Sequence, residues 1–187
     1  MTARFKRGLY VGRFQPFHRG HSEVVKGLLK KVDELVVVIG SSQKSHELEN
    51  PFTSGERIEM IRASLDEIGV SPSKHYLIPV PDSQDHSLWV PQVVSSSPFF
   101  DVVYSNEPFT RRLFKEAHFT VESIPFFKRE IYSATEVRKR MMADEDWRAL
   151  LPKSVSEIID RIGGVERLRE LEMTDSPLKR VLRNKRK

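Results

Sequence analysis

The stretch GRFQPFHRGH, residues 12–21, lies between an apolar run and an amphipathic segment. The run Gly-Leu-Tyr-Val at residues 8–11 predicts a buried strand, and residues 22–30 place Val24, Val25, Leu28 and Leu29 at helical spacing. At the first strand-to-helix turn of an open parallel sheet, the helix presents free backbone N–H groups and its positive dipole end to the crevice above the strands. The stretch therefore favours a parallel α/β sheet with an anion site at this turn.

The side chains of this turn suit a phosphate ligand. His18 and His21 can both face the crevice, because Gly20 between them has no Cβ and lets a ligand approach the backbone closely. Arg13 adds a planar guanidinium that is permanently charged. Either histidine alone would more simply be a surface residue or a satisfied core residue. No Gly-Lys-Ser/Thr follows, so the turn is not a Walker loop, and the three glycines of the dinucleotide fingerprint are absent.

A second stretch, IYSATEVRKR at residues 131–140, has the same kind of chemistry. Ser133 or Thr135 can cap a helix whose free N–H groups point at an anion. Arg138 lies close to that same helix end, where a cation is disfavoured by ~0.3–1 kcal/mol unless something negative binds. This mismatch predicts a site for a triphosphate tail. An ordinary capped helix with exposed arginines is the alternative that this stretch alone leaves open.

Apolar runs alternate with amphipathic segments through most of the chain, which predicts βαβ units. Strands are predicted at residues 8–11, 35–40, 75–80, 99–104 and 119–123. The predicted helices between them lie at residues 22–30, 54–68, 88–94 and 108–115, the second opened by a capping box of Thr53 and Glu56. Further helices are predicted at 135–142, 153–162 and 165–173. The expected fold class is α/β, a doubly wound five-stranded parallel sheet with a C-terminal helical appendage.

Composition limits the remaining possibilities. The 187 residues suffice for one well-buried domain with an appendage, and no apolar run approaches the roughly 20 residues of a membrane span. The basic N-terminus leads straight into a strand without a signal peptide's apolar region, and no cysteine is present. These features predict a cytoplasmic protein that does not span a membrane and has no metal site built from thiolates.

The net charge of +5 is located in the last 14 residues of the chain. Residues 174–187 hold six Lys or Arg and one Asp, and the residues before them are balanced in charge. We expect this tail to be a flexible, solvated terminus. An electrostatic arm for polyanions is the alternative, although a nucleic acid is not the expected partner.

The two stretches together resemble the signatures of the nucleotidyltransferase α/β-phosphodiesterase superfamily, His-x-Gly-His and Ile-Ser-x-Thr-x-x-Arg. The ten-residue form of the first is similar to that of archaeal nicotinamide-mononucleotide adenylyltransferases in particular. The resemblance continues through residues 39–43, 50–57 and 144–152. It implies a Rossmann-like core at 1–131, a helical subdomain at 132–173 that completes the ATP site, the tail at 174–187, and assembly as a hexamer.

The resemblance also implies the reaction. The phosphate of nicotinamide mononucleotide attacks the α-phosphorus of ATP, giving NAD and pyrophosphate with the help of Mg²⁺. Because the substrate phosphate is itself the nucleophile, the protein needs donors that align and neutralise charge, and no catalytic triad. Mg²⁺ is expected to be held mainly by phosphate oxygens and water, so no metal ligand from the protein is predicted.

Site residues follow from the two motifs and from the predicted strand ends. His18, His21 and Arg138 are the expected catalytic residues, acting on the phosphate chain. The predicted ATP-binding residues are these three and Gly12, Arg13, Phe14, Gln15, Gly20, Ser41, Tyr132, Ser133 and Thr135. Phe52 and Trp89 are predicted to flank the nicotinamide ring, because a flat cationic ring favours an aromatic face, and Asp82 and Asn106 to bind its carboxamide or ribose. Core packing is the alternative for both aromatic residues.

Some positions depart from the family pattern, namely Glu49, Ala134, His86 and Glu107. Glu49 stands where some archaeal relatives have an arginine. Within the superfamily, the alternative acceptors are phosphopantetheine, flavin mononucleotide and nicotinic-acid mononucleotide. A non-catalytic nucleotide or nucleic-acid binding module is the alternative from a different class.

Overall fold

A computed structural model describes residues 5–124 and 131–175. Strands and helices alternate as the sequence predicts. The strands are β1 Phe5–Gly12, β2 Val32–Ile39, β3 His75–Pro79, β4 Val102–Tyr104 and β5 Thr120–Glu122. The helices are α1 Arg19–Leu28, α2 Ser54–Glu67, α3 Trp89–Ser96, α4 Pro108–Glu116, α5 Ala134–Ala143, α6 Lys153–Arg161 and α7 Gly164–Asp175. Short 3₁₀ turns lie at Pro72–Lys74, His86–Leu88 and Arg148–Leu150.

The five strands form one parallel sheet in the order β3-β2-β1-β4-β5. The chain moves outward from β1 to β3 and then crosses back to place β4 on the other side of β1. This reversal leaves a crevice at the carboxyl ends of β1 and β4, which is where open α/β sheets bind ligands. The prediction of a doubly wound five-stranded α/β fold is confirmed.

The sheet is buried on both faces, as a parallel sheet requires. Val37 and Ile39 of β2 belong to a core cluster on one face, and Val36 and Val38 belong to a second cluster on the other face. All four side chains are fully buried. The apolar run of β2 is continuous because helices cover both faces of the sheet, so successive side chains are all buried.

Two predicted strands are shorter than expected. Phe99 is 77% exposed and lies before β4, and its carbonyl accepts a hydrogen bond from the Arg7 guanidinium. The backbone N–H of Asp101 donates to the Arg7 carbonyl, and the strand register with β1 begins one residue later, at Val102 opposite Gly8. Similarly, Phe119 and Ser123 flank β5 without belonging to it.

The C-terminal helices pack on the same core as one face of the sheet. Val137, Trp147, Val155 and Leu168 belong to the cluster that also contains Val37. Because these helices share a core with the sheet, the part of the chain that the structure describes shows no boundary near residue 131, and the predicted division of the chain there stays a prediction. The basic residues that define the tail, from Lys179 onward, lie outside the described residues.

None of the helices within the described ranges is both long and apolar enough to cross a lipid bilayer.

Candidate active site

The loop after β1 is held in a tight conformation. Phe14 has a positive φ of 52°, and a Cβ at Gly12 would meet the Phe14 ring at 2.7 Å. Only glycine fits at position 12 while the ring lies there, because real Cβ contacts are not that short. The loop carries Arg13, whose side chain is exposed, to the edge of the crevice.

The two predicted histidines lie together where α1 begins. His18 precedes the helix and His21 is in its first turn, and their rings are stacked with centroids 3.6 Å apart. The backbone N–H of His18 donates to Nδ1 of His21 at 3.2 Å. This assigns the proton of a neutral His21 to Nε2, because Nδ1 acts as an acceptor. A Cβ at Gly20 would lie 2.9 Å from Cβ of Tyr132 and 3.0 Å from Nδ1 of His18, so the small residue keeps the imidazole side of the cleft open.

Both imidazoles are neutral at neutral pH. Burial lowers the pKa of His18 to about 4. Burial, with the neighbouring His18 as a smaller cause, holds the pKa of His21 well below its usual range. The His18 side chain is 6% exposed, and its Nδ1 is buried without a hydrogen-bond partner in the described part of the chain. The pair therefore offers N–H groups rather than charges, and His18 has capacity left for a ligand.

The buried, neutral His18 makes acid sensitivity a testable property. Between pH 6.5 and 4 the unfolded chain binds a proton at His18 that the folded protein does not, so the free energy of unfolding falls as the pH is lowered. The expected loss is roughly 3 kcal/mol, since one pKa unit corresponds to about 1.4 kcal/mol. Urea unfolding of wild-type protein and His18→Asn across this range measures it. A stability difference between the two proteins that does not change with pH would contradict the assignment.

The second predicted helix beginning is at α5. Ser133 is its N-cap, and its Oγ accepts from the backbone N–H of Glu136 at 3.1 Å, which decides between the two capping residues that the sequence left open. Ala134 and Thr135 both line the cleft, and N–H groups at these first helical positions have no acceptor within a helix. Arg138 is 9% exposed, and its guanidinium donates to the Gln15 carbonyl at 2.7 Å.

The two helix beginnings, far apart along the chain, open into one cleft of about 650 Å³ at the crevice beside β1 and β4. Eleven of the predicted site residues line it: Arg13, Phe14, Gln15, His18, Gly20, His21, Asn106, Tyr132, Ser133, Thr135 and Arg138. The central expectation from the sequence, that the imidazole pair and the Arg138 turn share one cleft, therefore agrees with the structure.

The charged lining of the cleft consists of two guanidinium groups and two carboxylates, Glu49 and Glu107, and the Glu107 carboxylate caps α4. Arg13 and Arg138 line it, and burial, together with the repulsion from Arg13, lowers the pKa of Arg138. Glu49 also lines the cleft, and its carboxylate lies 3.5 Å from the Arg13 guanidinium. Both side chains of this pair are more than half exposed, so the pair holds Arg13 only weakly. A polyanion can therefore replace the Glu49 carboxylate at Arg13.

Two polar residues of the predicted site have structural partners. The Gln15 side chain exchanges hydrogen bonds with the backbone N–H and carbonyl of Phe52, at 3.0 and 2.9 Å. The Asn106 amide does the same with the backbone of Ile124. These side chains hold the walls of the cleft, and each amide uses one N–H and one oxygen lone pair in doing so. A contact of either amide with a ligand stays a prediction.

The remaining predicted residues lie outside this cleft. Ser41 Oγ donates to the Asp82 carboxylate at 2.9 Å, and Gln43 bonds both the carboxylate and the backbone of Asp82, so these residues form a separate polar cluster after β2 and β3. Trp89 is partly buried and packs edge-on against Phe114. The Phe52 ring is fully buried in the core and has no face to offer a ligand, so the structure gives it a packing role in place of the predicted contact.

Arg57 was not predicted from the sequence as a residue of functional importance. This residue is fully buried in α2, and its guanidinium donates to carbonyls at the ends of β1 and β2. A usable signal was present, because Arg57 stands four residues before Ile61 and eight before Leu65, on the stripe that the helix buries. A charged residue on an apolar stripe indicates a fixed polar partner.

Within residues 5–124 and 131–175, no group of three or more His, Asp or Glu side chains could hold a metal ion. The donors in the cleft are mainly N–H groups and guanidinium groups, which do not coordinate a hard cation. A divalent ion at this site would fit only with phosphate oxygens as its main ligands.

The Cytidylyltransferase-like family matches residues 9–140. The chain belongs to this family. The matched region begins in β1 and ends in α5, so it includes both helix beginnings that form the cleft.

Two curated relatives match nearly the whole chain. It is 51% identical over 173 residues to the nicotinamide-nucleotide adenylyltransferase of Archaeoglobus fulgidus, covering 90% of this chain and 99% of that protein. It is 49% identical over 170 residues to the protein of the same name from Methanolobus tindarius, covering 91% of this chain and 96% of the relative.

A solved structure has the same fold. It is a bifunctional NMN adenylyltransferase/ADP ribose pyrophosphatase from Francisella tularensis, complexed with AMP and a manganese ion. The TM-score is 0.72 at 19% sequence identity, over 97% of this chain and 55% of that protein. The chain thus spans about half the length of this structural relative, and the likeness concerns the fold alone.

Proposed function

We propose that this protein transfers the adenylyl group of ATP to nicotinamide mononucleotide, giving NAD and pyrophosphate. The observation that carries the proposal is the meeting of two helix beginnings in one cleft, which neutral imidazoles and Arg138 both line. The names of relatives that are about half identical over their whole length support the same acceptor.

The arrangement suits in-line substitution at the α-phosphorus. An oxygen of the mononucleotide phosphate forms a bond to the α-phosphorus of ATP, and the bond from that phosphorus to the oxygen bridging to the β-phosphorus breaks. Pyrophosphate leaves with this bond's electron pair. Negative charge grows on the α-phosphate oxygens and on the leaving group, and preorganised donors stabilise it best in a site that excludes water.

The roles of the side chains follow from their positions. We assign the N–H groups of His18 and His21 to the α- and β-phosphate oxygens, and Arg13 and Arg138 to the phosphate chain. The γ-phosphate is assigned to the N–H groups at Thr135. None of these groups needs to gain or lose a proton during the reaction, because the attacking oxygen is already anionic.

Mg²⁺ is the metal we expect with ATP. It would supply charge neutralisation on the phosphate oxygens, which are its main ligands together with water. The chain's own contribution is to bind and orient the phosphates to which the ion is attached.

Incubation of the purified protein with ATP, Mg²⁺ and nicotinamide mononucleotide tests the function. We expect NAD and pyrophosphate to form in equal amounts. The same assay with phosphopantetheine, flavin mononucleotide and nicotinic-acid mononucleotide ranks the alternative acceptors. Turnover with one of these and none with nicotinamide mononucleotide would replace the proposed acceptor, and no turnover with any would contradict the enzyme assignment.

The mononucleotide is proposed to bind beside the ATP cleft, near Asp82 and Trp89 at the carboxyl side of β3. Trp89→Ala is expected to raise the KM for the mononucleotide by roughly tenfold and to leave the KM for ATP nearly unchanged, because stacking on a cationic ring contributes ~0.5–2 kcal/mol. Steady-state kinetics with each substrate varied in turn measures both values.

Two further variants control this experiment. Trp89→Phe keeps an aromatic face and should retain most of the affinity. Phe99→Ala removes a side chain that is 77% exposed before β4, at the opposite end of the strand from the cleft, and should change neither KM. Equal increases of both KM values in Trp89→Ala would contradict the stacking role.

The hexamer stays a prediction that rests on the sequence resemblance, and the cytoplasmic location stays a prediction that rests on composition. Sedimentation of the full chain with and without ATP measures the subunit number directly.

A further inference from the structure

Arg57 is among the largest fully buried side chains of the described protein. Its guanidinium donates to four backbone carbonyls: Thr53 at 3.3 Å, Arg13 and Gly40 at 2.9 Å each, and Ser41 at 3.1 Å. None of the ion pairs within residues 5–124 and 131–175 includes it. A buried cation is normally paired with a carboxylate, so this arrangement is unusual.

The carbonyls that Arg57 binds belong to the two loops above the sheet. Arg13 follows β1, and Gly40 and Ser41 follow β2. Phe14, directly after Arg13, has a φ of 52°, and Ser41 has a φ of 48°. Such left-handed conformations are unfavourable for residues other than glycine and persist only where the surroundings fix them. One guanidinium connects both strained loops to α2 and to each other.

The position of Arg57 also gives it an electrostatic effect on the cleft. Burial lowers the pKa of Arg57 to about 10, and attraction from Asp82, which raises the pKa, and repulsion from Arg13, which lowers it, have smaller effects. The group therefore stays charged at neutral pH. Its charge lies behind the Arg13 carbonyl, in the loop that carries Arg13 to the cleft, and protein around it screens the charge less than water would. A polyanion in the cleft would be attracted by this charge without touching it.

We propose that Arg57 is a positioning residue for the nucleotide site. It fixes the ends of β1 and β2 in the shape that receives the polyphosphate, and its unpaired charge strengthens anion binding there. This inference rests on the proposed function, because it assigns the polyphosphate to ATP. Arg57 contacts no substrate and acts through the backbone of Arg13 and Ser41 and through its field.

Two substitutions separate the roles of shape and charge. In Arg57→Lys, the ammonium is positively charged at pH 7. Burial lowers its pKa below the ordinary lysine value of ~10.4, so the charge is lost as the pH rises. In Arg57→Met, the charge is absent at every pH. Arg62→Met is the matched control, because Arg62 is exposed on the same helix five residues further on. Circular dichroism and thermal melting at each pH report whether the fold is retained.

The measurements are the affinity for α,β-methylene-ATP by calorimetry and kcat/KM for ATP between pH 6 and 10. We expect Arg57→Lys to weaken analogue binding about tenfold at pH 7 and to lose further activity as the pH rises, while its fold persists. The wild-type protein should change far less over the same range. Arg57→Met should bind the analogue weakly, and its affinity and kcat/KM should not vary with pH. Arg62→Met should match the wild type in both quantities.

The proposal would be overturned if the activity of Arg57→Lys did not vary with pH, or if a folded Arg57→Met bound the analogue as tightly as the wild type. Where Arg57→Met does not fold, the pH profile of Arg57→Lys decides alone. Wild-type protein that binds the analogue but makes no NAD would contradict the proposed function, and the binding comparison among the variants would still test the role of Arg57.

Discussion

Replacing His18 with alanine is expected to lower kcat for NAD formation by about 10²–10³, the effect of removing one donor to developing negative charge. The fold should persist, because the imidazole is a neutral ring at the edge of the cleft and its Nδ1 bonds no other described residue. The rate constant is measured at saturating ATP and mononucleotide, and the melting temperature is measured in parallel.

The pH dependence of the same assay adds a second test. Since the pKa of His18 is about 4, the wild-type rate should show no histidine titration near pH 6.5. His118→Asn is the control, because His118 is exposed and has a φ of 63°, which asparagine tolerates. Near-normal turnover of a folded His18→Ala protein would remove His18 from the catalytic residues.

Replacing Arg138 with methionine is expected to reduce kcat/KM for ATP by roughly 10²–10³, since losing one partner of a buried charged contact costs ~2–5 kcal/mol. Arg138 is buried, takes part in none of the ion pairs within the described ranges, and lines the same cleft as the imidazoles. A polyphosphate would be its natural counter-ion. The kcat/KM of Arg138→Lys should lie between those of the wild type and Arg138→Met, because lysine keeps the charge and loses the planar donor pair.

The neighbouring residue supplies a matched control for Arg138. Lys139 is exposed on the same helix, and Lys139→Met removes one positive charge without touching the cleft. It should behave as the wild type. If Lys139→Met and Arg138→Met were equally impaired, a general loss of charge would explain the effect, and the assignment of Arg138 to the phosphates would be wrong.

Features that depend on neighbouring residues could be predicted from the sequence. The capping box of Thr53 and Glu56 is confirmed, because both hydrogen bonds run within three residues. The turn from β1 to α1 is confirmed for the same reason, since glycine and apolar spacing determine it locally. Five parallel strands also follow from alternation along the chain, although the starts of β4 and β5 depend on pairing partners that spacing does not identify.

Features that depend on long-range contacts could not be predicted. Gln15 and Asn106 have the chemistry of ligand-binding amides, but backbone groups 37 and 18 residues away take up part of their hydrogen-bonding capacity. Phe52 is aromatic and close to a motif, but the core covers its ring. The role of Arg57 depends on carbonyls 44, 17 and 16 residues away in the sequence. In each case the partner of the side chain lies far away along the chain and cannot be identified from local sequence.

The proposed function depends most on the claim that α1 and α5 begin at the same polyphosphate. A crystal structure of the protein with α,β-methylene-ATP and Mg²⁺ measures this directly. We predict that the side chains of His18, His21 and Arg138 lie within hydrogen-bond distance of oxygens of one triphosphate. A triphosphate bound elsewhere, or one that contacts the imidazoles and leaves Arg138 bonded only to the Gln15 carbonyl, would contradict it.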